Sequence, residues 1–258
     1  MTGGQIHYII SVTDMSFVVR DRAIPGYLAV PASDGATAGD GGPAGPWPGV
    51  VVIHEAFGLT GDIKEKAGEI AAHGYLALAP DLYEGKSWPG CVMAAFRQLR
   101  SGTGPAFDII DGARAQLAGR EDCTGKVAVI GFCLGGGFAL LCAPGHGFDA
   151  AAVNYGDVPK DAEDALAGAC PVVGSFGARD TMGTKPPERL QRALAVLQVR
   201  HDVKVYPNSG HRFMSQATGA GAVLAKITKM SYNEEDAADA WHRIYAFFAE
   251  TLSRSTGS

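Results

Sequence analysis

The feature that most constrains the fold is a regular alternation of short apolar runs with segments of helical periodicity. The run Val50–His54, which reads VVVIH, is apolar almost throughout, as expected of a strand that is buried on both faces of a sheet. Further strands are predicted at Tyr75–Ala79, Lys126–Gly131, Ala150–Tyr155, Val172–Phe176 and Val203–Tyr206. Helices are predicted at Asp62–His73, Pro105–Leu117, Leu134–Cys142, Pro187–Leu197 and Glu234–Leu252. Strands that alternate with helices predict an α/β fold with a mostly parallel sheet that helices cover on both faces.

The N-terminal part of the chain predicts a different local structure. Ser16–Arg20 and Tyr27–Val30 favour an antiparallel hairpin at the edge of the sheet, with a turn at Ile24–Gly26. Residues 31–48 are rich in Gly, Ala, Asp and Pro and predict a flexible loop. Too little chain precedes this loop to form a separate core, so we expect a single domain over residues 1–258.

Composition argues against several functional classes. Lysine and arginine number 22 against 27 aspartates and glutamates, so the net charge is −5, and this acidity argues against a nucleic-acid-binding surface. The sequence has no run of about 18 apolar residues, and its start lacks a basic segment followed by an apolar one. We therefore expect no membrane span and no signal peptide, and a cytoplasmic location. The five cysteines form no CxxC pair, which predicts free thiols and neither a metal ion nor another cofactor.

The strongest chemical signal is the segment Gly131–Gly136, which reads GFCLGG, between a predicted strand and a predicted helix. This is the pattern of a nucleophile elbow with cysteine in the place of serine. Side chains at Gly131 and Gly135 would collide with neighbouring backbone in such a turn. The N terminus of the following helix favours an anionic sulfur on Cys133. The alternative is a structural cysteine in the glycine-rich turn of a nucleotide-binding fold, although the GxGxxG pattern is not matched.

Two further residues complete a catalytic pattern. Asp180 follows the predicted strand Val172–Phe176, and His211 follows the predicted strand Val203–Tyr206. The carboxyl ends of parallel strands meet at one edge of a sheet, so both side chains are expected near Cys133. The order nucleophile, acid, histidine is that of an α/β-hydrolase triad. We therefore predict that His211 exchanges the proton of the nucleophile and that Asp180 orients the imidazole.

The segment His54–Gly58, which reads HEAFG, ends the first apolar strand. It matches the beginning of a zinc-binding HExxH helix, but the glycine at 58 and the strand context argue against a metal site. The loop instead lies where the second donor of an oxyanion hole belongs. The backbone N–H groups of Ala56 and Leu134 are the predicted donors, and Glu55 is expected to point towards the cysteine.

Taken together, these residues resemble the dienelactone hydrolase family, a branch of the α/β-hydrolases that uses cysteine as its nucleophile. The matching segments are His54–Gly58, Pro80–Tyr83, Gly131–Gly136, Gly177–Asp180 and Gly210–Phe213. The resemblance implies an α/β-hydrolase fold with a mostly parallel central sheet, helices on both faces and an N-terminal antiparallel hairpin.

The resemblance also implies a mechanism. Cys133 attacks a small lactone or ester and forms an acyl-thioester, with His211 and Asp180 completing the triad. Glu55 accepts a hydrogen bond from the resting thiol and helps to gate its ionisation. The family's named activity is hydrolysis of 4-carboxymethylenebut-2-en-4-olide to maleylacetate in the breakdown of chloroaromatic compounds. The implied partner is a small-molecule substrate, and the sequence is compatible with a monomer or a homo-oligomer.

This chain departs from the family in the residues that bind the substrate. Well-studied members hold the substrate carboxylate with two arginines, one of them four residues after the catalytic histidine. Here that position is Ser215, and the segment that carries the other arginine aligns poorly. The candidates for substrate binding are Lys86, Arg97, Arg100, Arg212 and Ser215. Serine carries no charge and lysine offers no bidentate fork, so the sequence supports the family's reaction better than its anionic substrate.

Two other functions stay open. One is a general carboxylesterase or thioesterase that acts on neutral small esters, which Ser215 favours. The other is a non-catalytic, redox-sensing protein that uses Cys133 as a reversible thiol. An acyl intermediate on Cys133 separates the enzymes from the redox sensor.

Overall fold

The computed structural model describes residues 9–32, 45–181, 187–216 and 232–253. The strands are β1 (Ile9–Val19), β2 (Arg22–Ala32), β3 (Trp47–Ile53), β4 (Leu76–Pro80), β5 (Cys123–Phe132), β6 (Ala150–Asn154), β7 (Val172–Gly177) and β8 (His201–Tyr206). The helices are α1 (Gly61–Ala72), α2 (Trp88–Ser101), α3 (Pro105–Ala118), α4 (Leu134–Leu141), α5 (Ala162–Ala165), α6 (Pro187–Val196) and α7 (Glu234–Thr251). None of the helices in these residues has both the length and the apolar character that crossing a membrane requires.

Within these residues, the eight strands form one sheet in the order β1-β2-β4-β3-β5-β6-β7-β8. The hairpin β1–β2 is antiparallel and pairs with β4 in the antiparallel direction, whereas all pairs from β4 to β8 are parallel. The prediction of a mostly parallel sheet with an N-terminal antiparallel hairpin is confirmed. Because the strands from β4 to β8 run in one direction, their carboxyl ends meet at a single edge.

Alternate residues of the central strands face two separate apolar cores. Val51 and Ile53 of β3 pack in the core that contains residues of α2 to α6, and Val50 and Val52 pack in the core with α1 and α7. All four side chains are fully buried. The unbroken apolar run predicted a strand covered on both faces, and this prediction is confirmed.

The predicted position of the hairpin turn is wrong. The turn lies at Arg20 and Asp21, which have φ values of 47° and 63°, as a two-residue turn that joins twisted strands requires. Ile24, Pro25 and Gly26 instead lie inside β2 and pair with β1. Proline and glycine are typical of turns, but here the carbonyl of Pro25 accepts a hydrogen bond from the N–H of Asp81 at 2.8 Å, which ties β2 to the end of β4.

Most of the loop predicted at residues 31–48 lies outside the described residues, but both of its ends are strands. β2 continues to Ala32, and β3 begins at Trp47, three residues before the apolar run begins at Val50. The N–H of Trp47 donates to the carbonyl of Asp122 at 2.8 Å. Pairing with neighbouring strands therefore extends both elements beyond the limits that local composition indicated.

Two helices were not predicted, α2 and the four-residue helix α5. Helix α2 lies between β4 and α3, where the sequence analysis placed no regular element. Cys91, Ala95 and Leu99, spaced at four residues, pack against the core beneath α2. A side chain at Gly137 of α4 would come within 2.9 Å of Leu99, so glycine lets the two helices approach closely.

Gly112 of α3 provides a test of how the hairpin packs. A Cβ atom at this position would lie 2.4 Å from Cγ2 of Val19. We expect Gly112→Ala to destabilise the protein by about 1–3 kcal/mol, because the stiff side chain of Val19 must move. The control is Gly90→Ala in α2, where nothing lies within 4 Å of the new atom. Chemical denaturation should show a gain of up to about 1 kcal/mol for the control, and a gain of the same size at Gly112 would contradict this packing.

Candidate active site

Cys133 occupies the sharp turn between β5 and α4. Its backbone has φ 55° and ψ −117°, a conformation that residues with side chains rarely adopt. A Cβ atom would lie 1.9 Å from the carbonyl oxygen of Gly135 if placed at Gly131, and 2.4 Å from the carbonyl oxygen of Ile53 if placed at Gly135. These distances confirm the prediction that only glycine fits on either side of the nucleophile position. The side chain of Cys133 is partly exposed at the edge where the parallel strands end.

His211 and Asp180 meet at the same edge. Nδ1 of His211 lies 2.7 Å from Oδ2 of Asp180, and both side chains are largely buried. Asp180 comes from the loop after β7 and His211 from the loop after β8. A short bond between an imidazole and a carboxylate fixes the ring orientation and stabilises the imidazolium.

The environment of His211 raises its pKa. Burial by itself lowers the pKa of the imidazole, but the hydrogen bond to Asp180 and the interaction with Cys133 outweigh it and raise the value from 6.5 to about 10. Nε2 is buried and has no hydrogen-bond partner among the described residues. The influence of Cys133 on the pKa of His211 nevertheless places the sulfur beside the imidazole.

Glu55, from the loop after β3, carries a buried carboxylate with several donors. Oε2 lies 2.6 Å from Nη2 of Arg212. Oε1 accepts hydrogen bonds from Oγ of Ser215 at 2.8 Å and from the hydroxyl of Tyr155 at 3.5 Å. Burial, followed by the charge of Glu55, raises the pKa of Tyr155, so its hydroxyl stays protonated and can donate. The four residues form one polar network beside the triad.

The resemblance implied a hydrogen bond from the resting thiol of Cys133 to Glu55, and the structure differs. Among the described residues, the carboxylate is bonded to Arg212, Ser215 and Tyr155 rather than to the thiol. The physical reason is that a guanidinium is a charged donor and binds a carboxylate more strongly than a neutral thiol does. The carboxylate of Glu55 is therefore held by donors other than the thiol.

The five candidates for substrate binding fall into two groups. Arg212 and Ser215 lie in the site, where Arg212 also stands over the ring of Phe57 at 5.2 Å. Ser215 is buried against Glu55 and Tyr155. Lys86, Arg97 and Arg100 are exposed, and none of the three contacts the triad or Glu55 within the described part of the chain. Lys86 instead pairs with Glu84 at 3.5 Å.

Sequence reasoning missed Tyr155. It lies directly after β6, has φ 43°, and its ring packs edge to face against the imidazole of His211 at 5.2 Å. The sequence did contain a signal for this residue: Tyr155 follows the carboxyl end of a parallel strand, as Asp180 and His211 do. The prediction placed it as the last residue of the strand, which hid this position.

His54 was considered only as a metal ligand, and both of its ring nitrogens are engaged by the backbone. Nδ1 lies 2.6 Å from the carbonyl oxygen of Glu55, and Nε2 accepts a hydrogen bond from the N–H of Leu82 at 3.1 Å. Neither nitrogen is left to bind a metal ion in this arrangement. The residue ties the loop after β3 to the loop after β4.

Comparison with known proteins agrees with this geometry. The model of the dienelactone hydrolase family matches residues 34–252. The chain belongs to the dienelactone hydrolase family. A carboxymethylenebutenolidase of Rhodococcus opacus is 28% identical over 230 residues, which are 79% of this chain and 81% of that protein. Membership makes the protein a hydrolase that acts on ester or lactone bonds.

Solved structures show the same fold. A dienelactone hydrolase-like promiscuous phosphotriesterase from metagenomic libraries is 25% identical, covers 94% of this chain and 98% of its own, and superposes with a TM-score of 0.73. An alpha/beta hydrolase from a Medee basin deep-sea metagenome library, at 11% identity, covers 94% of this chain and 98% of its own with a TM-score of 0.68. The predicted α/β-hydrolase fold is confirmed.

The histidine–aspartate pair makes a prediction about pH. Because the folded pKa of His211 is raised, its protonation favours the folded form; this contribution is complete below pH 6.5 and is lost as the pH rises through about 10. Asp180→Asn should lower the pKa of His211 from about 10 towards or below 6.5, so the loss begins at lower pH. NMR titration of the imidazole and denaturation across pH measure both effects.

The matched control is Asp111→Asn, which removes the carboxylate 2.7 Å from His146 instead. It should lower the pKa of His146, which Asp111 raises, and leave His211 unchanged. An unaltered titration of His211 in Asp180→Asn would show that the carboxylate does not hold the proton.

Proposed function

We propose that this protein opens a small lactone or cleaves a small carboxylic ester through an acyl-thioester on Cys133. The observation that carries the proposal is the 2.7 Å bond between His211 and Asp180, on loops that end beside a cysteine with φ 55°. A buried acid and base next to a strained, partly exposed thiol are the parts that covalent acyl transfer needs. The substrate class follows the family's named activity in the breakdown of aromatic compounds.

Before the first half of the reaction, the proton of Cys133 lies on Nε2 of His211, as the raised pKa of the imidazole favours, so the sulfur reacts as a thiolate. The sulfur forms a bond to the carbonyl carbon, and the carbonyl oxygen takes up the electron pair as an oxyanion. The N–H groups of Ala56 and Leu134 are the donors for this charge, since neither donates to a carbonyl or side chain within the described residues. The ester C–O bond then breaks, and the departing alkoxide takes the proton from His211.

In the second half, water adds to the thioester. Nε2 of His211 accepts a proton from the water as the new C–O bond forms, and the oxyanion forms again at the same donors. The C–S bond breaks, and the sulfur leaves as the thiolate beside the imidazolium of His211, which restores the starting state. When the substrate is a lactone, the alcohol stays attached to the acyl group, so one hydroxy acid leaves. Asp180 stabilises the imidazolium in both halves.

A second candidate is a hydrolase of neutral small esters. The positive charge of Arg212 is compensated by Glu55 at 2.6 Å, and Ser215 stands at the position of a family arginine. Lys86, Arg97 and Arg100 are exposed. A site without an uncompensated cation gives an anionic substrate little advantage over a neutral one.

The role of the cysteine is tested by Cys133→Ala. We expect hydrolysis of dienelactone and of a small aryl ester to fall at least about a thousandfold, because the covalent route is removed. The control is Cys123→Ala, a partly buried thiol at the start of β5, which should retain activity within about twofold of wild type. Mass spectrometry of the quenched wild-type reaction should find the acyl group on the peptide that carries Cys133. Unchanged turnover in Cys133→Ala would refute the mechanism, and an oxidised thiol without any acyl adduct would support a redox sensor.

The charge of the substrate is tested with the wild-type enzyme. If the site favours an anion, kcat/KM for the dienelactone carboxylate should exceed that for its uncharged methyl ester by about tenfold or more, the size of one charge-assisted hydrogen bond. Equal or higher values for the methyl ester would establish the second candidate. The Cys133→Ala variant, assayed on both substrates, corrects for spontaneous hydrolysis.

A further inference from the structure

Hydrogen bonds from the side chains of His54 and Tyr83 hold the loop after β3. The acceptors of these bonds are the carbonyl groups of two consecutive peptide units. The carbonyl of Glu55 and the N–H of Ala56 belong to one planar peptide unit, so the orientation of one fixes the other. Nδ1 of His54 lies 2.6 Å from that carbonyl oxygen. The hydroxyl of Tyr83 donates to the carbonyl of Ala56, in the next peptide unit, at 2.9 Å. The peptide planes on both sides of Ala56 are therefore fixed.

His54 is suited to this role by its burial. The side chain is fully buried, and burial lowers its pKa, so the ring is neutral at physiological pH. A neutral imidazole has one donor and one acceptor. Nε2 accepts from the N–H of Leu82 at 3.1 Å, which leaves the proton on Nδ1 for the carbonyl of Glu55. The two backbone partners thus select one tautomer.

Tyr83 is anchored on the other side. Its N–H donates to Oδ1 of Asp81 at 2.9 Å, and its ring meets the ring of His54 edge to face with centroids 4.9 Å apart. Burial raises the pKa of the phenol, so the hydroxyl stays protonated and donates. The two rings form a brace between the loop after β4 and the loop after β3.

The backbone just before the peptides that the brace holds lies against the nucleophile turn. A side chain at Gly135, the second residue of α4, would lie 2.6 Å from the carbonyl oxygen of His54, so the first turn of α4 touches the end of β3. The N–H groups of Ala56 and Leu134 accordingly arise from two segments in direct contact. Neither group donates to a carbonyl or side chain in the part of the chain that the structure describes.

We propose that His54 and Tyr83 are positioning residues that aim the N–H of Ala56 at the oxyanion formed in the hydrolysis proposed above. The inference rests on that proposed function. Neither side chain touches the reacting atoms; each acts through a backbone carbonyl. A donor that is rotated away from the oxyanion stabilises the transition state less and leaves the ground state unchanged, so kcat falls while KM does not.

The first test is Tyr83→Phe, which keeps the ring and removes only the hydroxyl. We expect kcat for ester hydrolysis to fall about tenfold, part of the 10²–10³ that loss of a whole oxyanion donor costs, with KM within about twofold of wild type. The rate at which iodoacetamide alkylates Cys133 should not change, because displacement at a saturated carbon forms no oxyanion. The matched control is Tyr206→Phe, which loses a 2.6 Å bond to Asp239 between β8 and α7 and should leave kcat within about twofold.

The second test compares two substitutions of His54. The amide nitrogen of asparagine occupies the place of Nδ1, so His54→Asn keeps the donor for the carbonyl of Glu55, whereas His54→Ala removes it. We expect kcat to fall about a hundredfold in His54→Ala and to recover about tenfold in His54→Asn. Affinity for a small aldehyde, whose carbonyl oxygen takes up charge when the sulfur of Cys133 adds to it, should fall in parallel with kcat.

The outcomes separate this inference from the proposed function. If Cys133→Ala is inactive and Tyr83→Phe has wild-type kcat and aldehyde affinity, the inference is overturned and the proposed function stands. Equal losses of hydrolysis and of alkylation in Tyr83→Phe would also overturn it, since they indicate general disturbance of the site. If Cys133→Ala keeps full activity, the proposed function fails, and the positioning role fails with it.

Discussion

Close contact between backbone segments at the first turn of α4 determines where the rest of the candidate site lies. At Gly131 and Gly135, Cβ atoms would come within 1.9 Å and 2.4 Å of backbone oxygens, and such atoms cannot rotate away as side chains can. The contact holds Cys133 at φ 55° and brings it to the edge where the parallel strands end. The loops after β3, β7 and β8 then have only to present their side chains at that edge. Strain at one residue is thereby maintained by packing around it.

The buried carboxylate of Glu55 is the second organising element. Removing a charge from water is costly, and the cost is offset by the guanidinium of Arg212 and by the hydroxyls of Ser215 and Tyr155. Arg212 reaches Glu55 from a left-handed backbone conformation, with φ 64°, directly after His211. The ion pair therefore joins the loop after β8, which carries the histidine, to the loop after β3, which carries Ala56.

Sequence reasoning succeeded where a residue's role follows from its local context. The apolar run at Val50–Ile53 identifies a doubly covered strand, and the glycines around Cys133 identify a turn that side chains cannot enter. It failed where the partner is distant in the chain. The partner of Glu55 is 157 positions away at Arg212, and the exposed positions of Arg97 and Arg100 depend on how α2 lies on the core. The hairpin turn was misplaced because Pro25 and Gly26, typical turn residues, are accommodated inside β2 by pairing with its neighbours.

The sequence by itself determined the alternation of strands and helices, the elbow at Cys133 and the order of Asp180 and His211 after their strands. These features depend on interactions between near neighbours and on the general rule that parallel strands end together. The tertiary structure alone decided that Glu55 pairs with Arg212, that Tyr155 joins them, and that His54 and Tyr83 hold the peptides around Ala56. Hydrogen bonds and ion pairs act over about 3 Å, so only folding, which brings distant loops to that separation, selects one partner among the many that composition permits.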